Sequence, residues 1–195
     1  MKGTLKIRTA SVGDANELLE IYAPYVEKTA ITFETEVPSL KEFKGRIEKI
    51  SAKYPYLILF CDEEPVGYAY ASEFKGRAAY DWSVETTIYL KWDKRGEGYG
   101  HILLEALENA LREQNFLNAN ACIAWARSED EYLTNASAYF HEKNGYKMVG
   151  TFHDSGYKFN HWYDMVWMEK MLGEHPTVPK PLTLPQNKSY TLTKK

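Results

Sequence analysis

The segment with the clearest chemical potential is a glycine-rich stretch at residues 91–100 (KWDKRGEGYG), between a predicted strand and a predicted amphipathic helix. Glycine lets consecutive backbone N–H groups turn toward one point, and the positive end of the helix dipole adds to them. The glycines are Gly96, Gly98 and Gly100, and the basic residues beside them are Lys91, Lys94 and Arg95. The stretch predicts a cradle for a ligand with several phosphates. A plain glycine-rich turn with a solvated charge run is the alternative.

The residues after the glycines narrow the choice of ligand. A mononucleotide P-loop requires Gly-Lys-Ser/Thr at its end, whereas Gly100 is followed by His101 and Ile102. A dinucleotide-binding fold favours G-x-G-x-x-G after the first strand of an alternating βα series, but here G-x-G-x-G follows several strands that read as a meander. A nucleotide-binding redox protein is therefore only a weak alternative.

Two titratable residues are candidates for proton transfer. Glu85 lies in the middle of a strand beside Val84 and Ile88, a setting that raises the pKa of a carboxylate and suits a general base. A solvated glutamate at a sheet edge is the alternative. His141 lies in a predicted helix four residues before Gly145, where a lone histidine is more often a capping or surface residue than a catalyst.

The surrounding pattern predicts the elements that position these residues. Residues 5–10 alternate as a strand, Asp14 caps a helix that Pro24 interrupts, and Ser39 with Glu42 forms a capping box for a second helix. Strands follow at 56–62, 66–74 and 82–90, with a turn at 63–65. A helix at 98–114, a strand at 119–126, a helix at 134–143 and strands at 146–153 and 163–171 complete the order βααβββαβαββ.

This order predicts an α/β (α+β) fold with a mixed, mostly antiparallel sheet and helices on both faces. We expect one domain at residues 1–172. From residue 173 to 195 the composition shifts to Pro, Thr and Lys, which predicts an extended, Pro-rich tail.

Composition excludes several classes of protein. The chain has 195 residues with 24 Lys plus Arg and 27 Asp plus Glu, and its net charge of -3 argues against nucleic-acid or anionic-membrane partners. It shows neither a signal peptide nor an apolar run long enough to span a membrane, which predicts a cytoplasmic, soluble protein. Cys61 and Cys122 lack metal-ligand spacing, so we expect two core thiols and no metal.

Taken together, the motifs resemble the GNAT superfamily of N-acetyltransferases. Residues 95–100 (RGEGYG) fit its R/Q-x-x-G-x-G/A loop, and the element order fits its fold. The resemblance sharpens to the phosphinothricin acetyltransferase-like branch through residues 32–36 (TFETE), 75–82 (KGRAAYDW), 85–87 (ETT), 141–146 (HEKNGY) and 156–158 (GYK), with Trp162 and Asp164.

The resemblance implies acetyl-CoA as the co-substrate, with Glu85 as general base and His141 as the acid that protonates the CoA thiolate; Tyr139 is a weaker substitute. Backbone N–H groups of a splayed strand would face the thioester carbonyl and the pantetheine arm. The residues expected to contact acetyl-CoA are Ile88, Tyr89, Leu90, Arg95, Gly96, Glu97, Gly98, Tyr99, Gly100, His101, Thr134 and Asn135. Thr134 stands where the family usually has Asn, and residues 127–133 (RSEDEYL) are several residues longer than in relatives.

The acceptor site is expected to hold an anionic head group and an ammonium group. Its candidate residues are Phe33, Glu34, Lys75, Arg77, Tyr80 and Lys158. They favour a small amino acid or an analogue with a phosphinate, sulfone or sulfoximine end. Acetylation of another amine (a polyamine, an aminoglycoside or a protein N-terminus) and a non-catalytic acetyl-CoA-binding role remain open. The branch also implies a homodimer.

Overall fold

A computed structural model describes residues 3–186 and 189–192 of the chain. The helices are α1 (Ala15–Lys28), α2 (Leu40–Ser51), α3 (Tyr99–Glu113) and α4 (Ala136–Lys143). The strands are β1 (Leu5–Thr9), β2 (Tyr56–Cys61), β3 (Glu64–Glu73), β4 (Ser83–Leu90), β5 (Asn118–Trp125), β6 (Lys147–Lys158), β7 (His161–Met171) and β8 (Ser189–Leu192). Among the described helices, none is long and apolar enough to cross a membrane.

The strands form a single sheet in the order β6-β7-β5-β4-β3-β2-β1-β8. Neighbours pair antiparallel except β4 and β5, which are parallel. One hydrophobic cluster joins the sheet to α1 and α2, and another joins its opposite face to α3 and α4. The predicted mixed, mostly antiparallel sheet with helices on both faces is confirmed.

Period-two alternation explains why the sheet carries two cores. In β2, Ile58 contributes to the cluster under α1 and α2, whereas Leu57 and Leu59 contribute to the cluster under α3. In β3, Tyr68 likewise contributes to the cluster under α1 and α2, and Ala69 to the cluster under α3. Successive side chains of a strand point to opposite faces, so a strand buried on both sides must be apolar throughout.

The sheet opens between its two parallel strands. β4 pairs with β5 only over residues 83–85 and 118–120. Beyond that point β4 stays with β3 as far as Leu90, and β5 stays with β7 as far as Trp125. The Asn120 side chain donates to the Val84 carbonyl at 3.2 Å, and the Thr86 hydroxyl donates to the Asn120 carbonyl at 3.0 Å. At the end of the ladder, these side chains thus satisfy the carbonyls of Val84 and Asn120. Beyond this point the two strands diverge and leave a wedge-shaped opening between them.

Helix α1 departs from the prediction at both ends. Pro24 lies inside the helix instead of ending it. Its ring removes one backbone hydrogen bond, but Tyr25 and Val26 beyond it are buried in the core, and this packing carries the helix onward. Asp14 does not cap α1 through its side chain; its carboxylate accepts the Ser11 amide at 2.7 Å and pairs with Arg8 at 2.6 Å.

The β2–β3 turn lies earlier than predicted. Asp62 and Glu63 adopt positive φ angles of 49° and 65°, and Glu64 and Pro65 already belong to β3. A two-residue turn with both central residues left-handed matches the twist of the strands it joins. The sequence places the turn at Pro65 because proline is a common turn residue, yet here it occupies the start of a strand, where its missing N–H is tolerated.

The chain after residue 172 packs along the domain. Residues 173–186 contain no helix or strand, and their carbonyls accept side-chain donors: Lys180 from the Trp82 indole, Pro181 from Asn115 and Thr183 from Gln114. β8 then pairs antiparallel with β1. No pattern in the sequence predicts this strand.

A buried ion pair ties α3, β7 and α4 together. Glu108 is 3% exposed, and the Lys170 amine donates to both of its carboxylate oxygens at 2.8 and 2.7 Å. The same amine donates to the carbonyl of Asn144, the C-cap residue of α4, at 2.7 Å. Arg112 reaches Glu108 at 3.2 Å from the exposed side.

We expect Lys170→Met to lower the free energy of unfolding by about 3 kcal/mol, because it leaves a buried carboxylate without its main partner. The measurement is urea unfolding. Lys147→Met, at an exposed position of β6, is the matched control and should change the free energy by less than about 0.5 kcal/mol. Equal effects of the two substitutions would contradict a structural role for the pair.

Candidate active site

A cavity of about 260 Å³ lies where β4 and β5 separate. Its lining includes both strands, α4 and the segment between α1 and α2. The lining residues are Tyr22, Ile31, Thr32, Phe33, Glu34, Tyr70, Glu85, Thr86, Thr87, Ile88, Tyr89, Ala121, Cys122, Ile123, Ala124, Leu133, Ser137, His141 and Met165. The cavity therefore brings together both predicted proton-transfer residues.

Glu85 and His141 reach this cavity from opposite faces of the sheet. The register places Glu85 on the same face as Tyr70, which contacts the cluster under α1 and α2. His141 belongs to α4, whose Ala138 packs in the cluster on the other face. In a continuous sheet the two side chains would be separated by backbone, so only the opening between β4 and β5 lets them line one space.

The surroundings of Glu85 favour its protonated form. Desolvation raises the pKa of the Glu85 carboxyl, and the positive charge of Lys75 opposes that shift. The Lys75 amine lies 5.1 Å from the centre of the Trp167 ring. Trp167 faces Cys122 across the β5–β7 register, so Lys75 lies on the same side of the sheet as Glu85. This combination of burial and one cation gives a carboxylate of increased basicity.

His141 is held as a neutral ring. It is 3% exposed, and its Nδ1 lies 2.8 Å from the Ser137 carbonyl. A carbonyl only accepts, so Nδ1 carries the proton and Nε2 has a free lone pair. Among the described residues Nε2 has no hydrogen-bond partner, and burial lowers the pKa of the imidazole. In this state Nε2 accepts a proton before it can donate one.

The backbone of β4 presents alternate amides to the opening. The Lys91 amide donates to the Val66 carbonyl of β3 at 2.8 Å. Alternation along an antiparallel strand then directs the Tyr89 amide to β3 and the amides of Ile88 and Leu90 to the open side. The strand residues expected to contact acetyl-CoA therefore differ: the amides of Ile88 and Leu90 face the opening, whereas the Tyr89 amide is directed into the sheet.

The glycine loop has the backbone geometry that its sequence predicts. Gly96 and Gly98 have φ angles of +79° and +85°, which other residues rarely adopt, and α3 begins at Tyr99. A Cβ at Gly100 would lie 3.1 Å from the ring of Phe140. Glycine thus allows the first turn of α3 to approach α4, with first-turn amides that have no partner within the helix.

The side chains around the loop are engaged with the protein. Tyr99 is buried and its hydroxyl donates to the Cys61 sulfur at 3.4 Å, whereas His101 pairs with Asn144 at 2.6 Å. The Arg95 guanidinium lies 3.3 Å above the Trp92 ring. Lys91 and Lys94 both pair with Glu64. Glu97 is exposed. The phosphate-binding potential of this segment therefore lies chiefly in its backbone.

The predicted contact from Thr134 and Asn135 is not supported for Asn135. Its side chain is 5% exposed, with the oxygen accepting the Ala126 amide at 2.9 Å and the nitrogen donating to the Ala126 carbonyl at 2.9 Å. Both amide groups are used within the protein, so the side chain is unavailable to a ligand. Thr134 is exposed.

Three predicted acceptor residues come from the loop after α1 and from the end of β6, which contact each other. The Phe33 ring rests on Gly156, where a Cβ would lie 2.2 Å from it. The Lys158 amine donates to the Thr32 carbonyl at 2.9 Å, and burial lowers its pKa to about 8. Glu34 lines the cavity but is paired with Arg46 at 2.6 Å. Arg46 belongs to none of the predicted site motifs, although its spacing from Glu42 suits a helical ion pair.

The remaining acceptor candidates lie on the segment between β3 and β4. Lys75 acts on Glu85 through its charge. Arg77 and Tyr80, however, are exposed residues that do not line the cavity, and the Tyr80 ring packs edge-on against Phe74. The structure thus places Lys75 near the site and leaves Arg77 and Tyr80 outside it.

Cys122 is not the core thiol that the sequence predicts. It is exposed and lines the cavity, and desolvation together with the charge of Glu85 raises the pKa of its thiol to about 11. The apolar run around it misled the prediction, because Cys122 faces the open part of the sheet. Cys61 is partly buried against the main core. Among the described residues, no group of three or more His, Cys, Asp or Glu side chains could hold a metal ion.

Comparison with known proteins gives one consistent result. Residues 7–167 match the family model described as an acetyltransferase (GNAT) domain. The chain is 30% identical over 178 residues to phosphinothricin N-acetyltransferase of Streptomyces viridochromogenes, covering 91% of this chain and 93% of the relative. It is 30% identical over 175 residues to L-methionine sulfoximine/L-methionine sulfone acetyltransferase of Pseudomonas aeruginosa, covering 89% and 98%. A phosphinothricin acetyltransferase from Sinorhizobium meliloti, solved in complex with AcCoA, superposes with a TM-score of 0.81 at 32% identity, covering 89% and 92%.

We expect Lys75→Met to raise the pKa of the Glu85 carboxyl further, because it removes the cation that stabilises the ionised form. Carbon-detected NMR titration of the labelled carboxyl measures this directly. Lys75→Arg keeps the charge and should leave the pKa close to that of the unsubstituted protein. An unchanged pKa in Lys75→Met would show that Lys75 does not act on Glu85.

Proposed function

The chain belongs to the GNAT acetyltransferase family, and we propose that it transfers the acetyl group of acetyl-CoA to the α-amino group of a small amino acid or amino acid analogue. The observation that carries this proposal is that Glu85 and His141 line the same cavity from opposite faces of the sheet. One face thereby serves the acceptor and the other serves the donor.

Several predictions from the sequence are confirmed by the family match. They are membership of the GNAT family, N-acetyltransferase activity and acetyl-CoA as co-substrate. The acceptor class is supported by the relatives, whose names specify phosphinothricin, methionine sulfoximine and methionine sulfone. All three are small amino acid analogues with a polar side-chain end.

The residues around the opening fit acetyl-CoA, which supplies the acetyl group as a thioester. Partnerless amides at the start of α3 suit its pyrophosphate, and Gly100 keeps the approach to Phe140 free of a side chain. The amides of Ile88 and Leu90 are directed into the opening, where they would stabilise charge that develops on the thioester oxygen. Residues 88–90 and 95–101 thus form the donor side.

Glu85 is the proposed base. An amine attacks a carbonyl only as the neutral form, so its ammonium proton must first leave. Burial makes Glu85 more basic than an exposed glutamate, and its place on the α1/α2 face puts it on the side of the acceptor loops. It takes the proton directly or through one water molecule.

His141 handles the proton on the donor side. Because Nδ1 donates to Ser137, Nε2 must gain a proton before it can act as the acid that protonates the departing thiolate, and the proton that the amine nitrogen loses as the amide bond forms can supply it. A thiol of pKa about 8.5 leaves as a partly stable anion, so this step contributes less than removal of the amine proton. The proposed roles are therefore unequal, with Glu85 the more important.

The acceptor is held by charges on the Glu85 face. Lys75 supplies a cation beside the site for a carboxylate or a phosphinate, sulfone or sulfoximine end. Phe33 contributes an apolar wall and Glu34 a carboxylate whose charge is shared with Arg46. Lys158 fixes the loop that carries Phe33 through its bond to Thr32.

We also propose that the protein is a cytoplasmic homodimer with neither nucleic-acid nor membrane partners. Support comes from the β6–β7 hairpin, where large apolar side chains are exposed: Val149 is 58% exposed, Phe152 57% and Trp162 62%. Large exposed apolar side chains on a hairpin at the end of a sheet favour a protein–protein contact there. The net charge of -3 argues against polyanionic partners.

We expect Glu85→Gln to lower kcat about 100-fold with small-amino-acid acceptors, because it removes the base while preserving shape. Thiol release from acetyl-CoA is measured with phosphinothricin, methionine sulfone, methionine sulfoximine, common amino acids, spermidine and an aminoglycoside. Glu105→Gln, an exposed substitution on α3, should retain full activity.

The outcomes separate the alternatives. Turnover of an amino acid analogue that falls in Glu85→Gln supports the acceptor class and the base together. Turnover of only spermidine or the aminoglycoside would contradict the acceptor class. Acetyl-CoA binding without release of thiol for any amine would instead favour a non-catalytic role.

A further inference from the structure

We propose that the loop at residues 127–133 limits the width of the acceptor side chain, with Leu133 as the wall that excludes aromatic amino acids in favour of narrower side chains. The inference rests on the proposed function, since it specifies which acceptors that site admits. It assigns a role to an acidic segment for which the sequence indicates only that it is longer than in relatives.

The loop is fixed at its base and within itself. Asn135 bonds both backbone groups of Ala126, which closes the two ends of the loop on each other. The Asp130 carboxylate accepts the amides of Tyr132 and Leu133, each at 2.8 Å, and the hydroxyl of Tyr163 at 2.8 Å. An acidic segment that would otherwise be solvated is therefore held in one conformation.

Leu133 lies on the acceptor side of the cavity. It is 2% exposed, lines the cavity, and packs in a cluster with Ala30, Ala124 and Tyr163, to which Ile31 is adjacent. Ile31 leads directly into the loop of Phe33 and Glu34, and Ala124 follows Cys122 on the Glu85 face of β5 by alternation. The Leu133 side chain is thus part of the wall against which an acceptor must pack.

Tyr132 couples this wall to the other acceptor loops. Its carbonyl accepts the Ala30 amide at 3.0 Å, and its ring stacks on Phe159 with 4.3 Å between the ring centres. Phe159 and Asn160 form the β6–β7 turn with positive φ angles of 51° and 62°. Phe159 also follows Lys158 directly. One residue thereby holds the segment before Phe33 and the turn after Lys158 at a fixed separation.

The size limit follows from the packing. An acceptor side chain that reaches this wall would pack against Leu133, and a ring as broad as that of phenylalanine would require Leu133 to move. The hydrogen bonds of Asn135 to Ala126 and those of Asp130 to the loop backbone oppose that movement. Removing the branched part of Leu133 should open space for about three more carbon atoms without altering the charges that hold the head group.

The test compares Leu133→Ala with Leu104→Ala, an equal deletion in the α3 core, away from the cavity. The kcat/KM values for acetylation of methionine sulfone and phenylalanine are measured for each. We expect Leu133→Ala to raise the ratio of kcat/KM for phenylalanine to that for methionine sulfone at least tenfold, and Leu104→Ala to leave this ratio unchanged. An unchanged ratio in Leu133→Ala, or an equal rise in both variants, would overturn the inference.

A second pair of variants tests the coupling. Tyr132→Ala should raise KM for the acceptor about tenfold with little change in KM for acetyl-CoA, and Tyr132→Phe, which keeps the stacked ring, should restore it. A change in KM for acetyl-CoA alone would contradict the assignment. If the unsubstituted protein acetylates no amino acid or amino acid analogue of the panel given under Proposed function, the proposed function fails; Leu133→Ala then supports the inference by gaining phenylalanine acetylation and overturns it by gaining none.

Discussion

The site depends on the point at which the pairing of β4 with β5 ends. Beyond Glu85 and Asn120 no ladder joins the two strands, and Thr86 and Asn120 take the last backbone acceptors with their own side chains. Three consequences follow from this one interruption. Backbone amides of β4 are left for a ligand, a cavity forms in the middle of the sheet, and side chains from both faces reach it. A fully paired sheet of the same sequence would keep Glu85 and His141 apart.

Burial acts in opposite directions on these two groups and suits both to proton transfer. It raises the pKa of Glu85 and lowers that of His141, so the carboxylate becomes a stronger base and the imidazole stays neutral. The acceptor side is built from the loop after α1, the loop at residues 127–133 and the end of β6 with its turn, which contact one another through Phe33 on Gly156 and Tyr132 on Phe159. The donor side relies on backbone groups of α3 and β4. The donor site is formed by backbone groups and the acceptor site by side chains of the surrounding segments. A donor site common to the family can therefore be combined with an acceptor site particular to this chain.

Local signals made most of this architecture predictable. Glycine spacing located the loop before α3, Ser39 with Glu42 located the start of α2, and alternation placed Glu85 in a strand. Features set by distant partners escaped the sequence. Asn135 is hydrogen-bonded to Ala126, and Arg46 forms an ion pair with Glu34. Strand β8 pairs with β1, more than 180 residues away. None of these pairings leaves a local pattern in the sequence. Cys122 was misplaced because an apolar run does not show which of its side chains faces a gap in the sheet.

The most direct test of the account is a backbone amide NMR titration of the protein with acetyl-CoA. If the opening between β4 and β5 is the donor site, the amides of Ile88 and Leu90 and those of residues 96–101 should show the largest shifts, and the Tyr89 amide, which is bonded to β3, a smaller one. Large shifts confined to another surface, with residues 88–101 unaffected, would contradict the claim that the broken ladder forms the binding site.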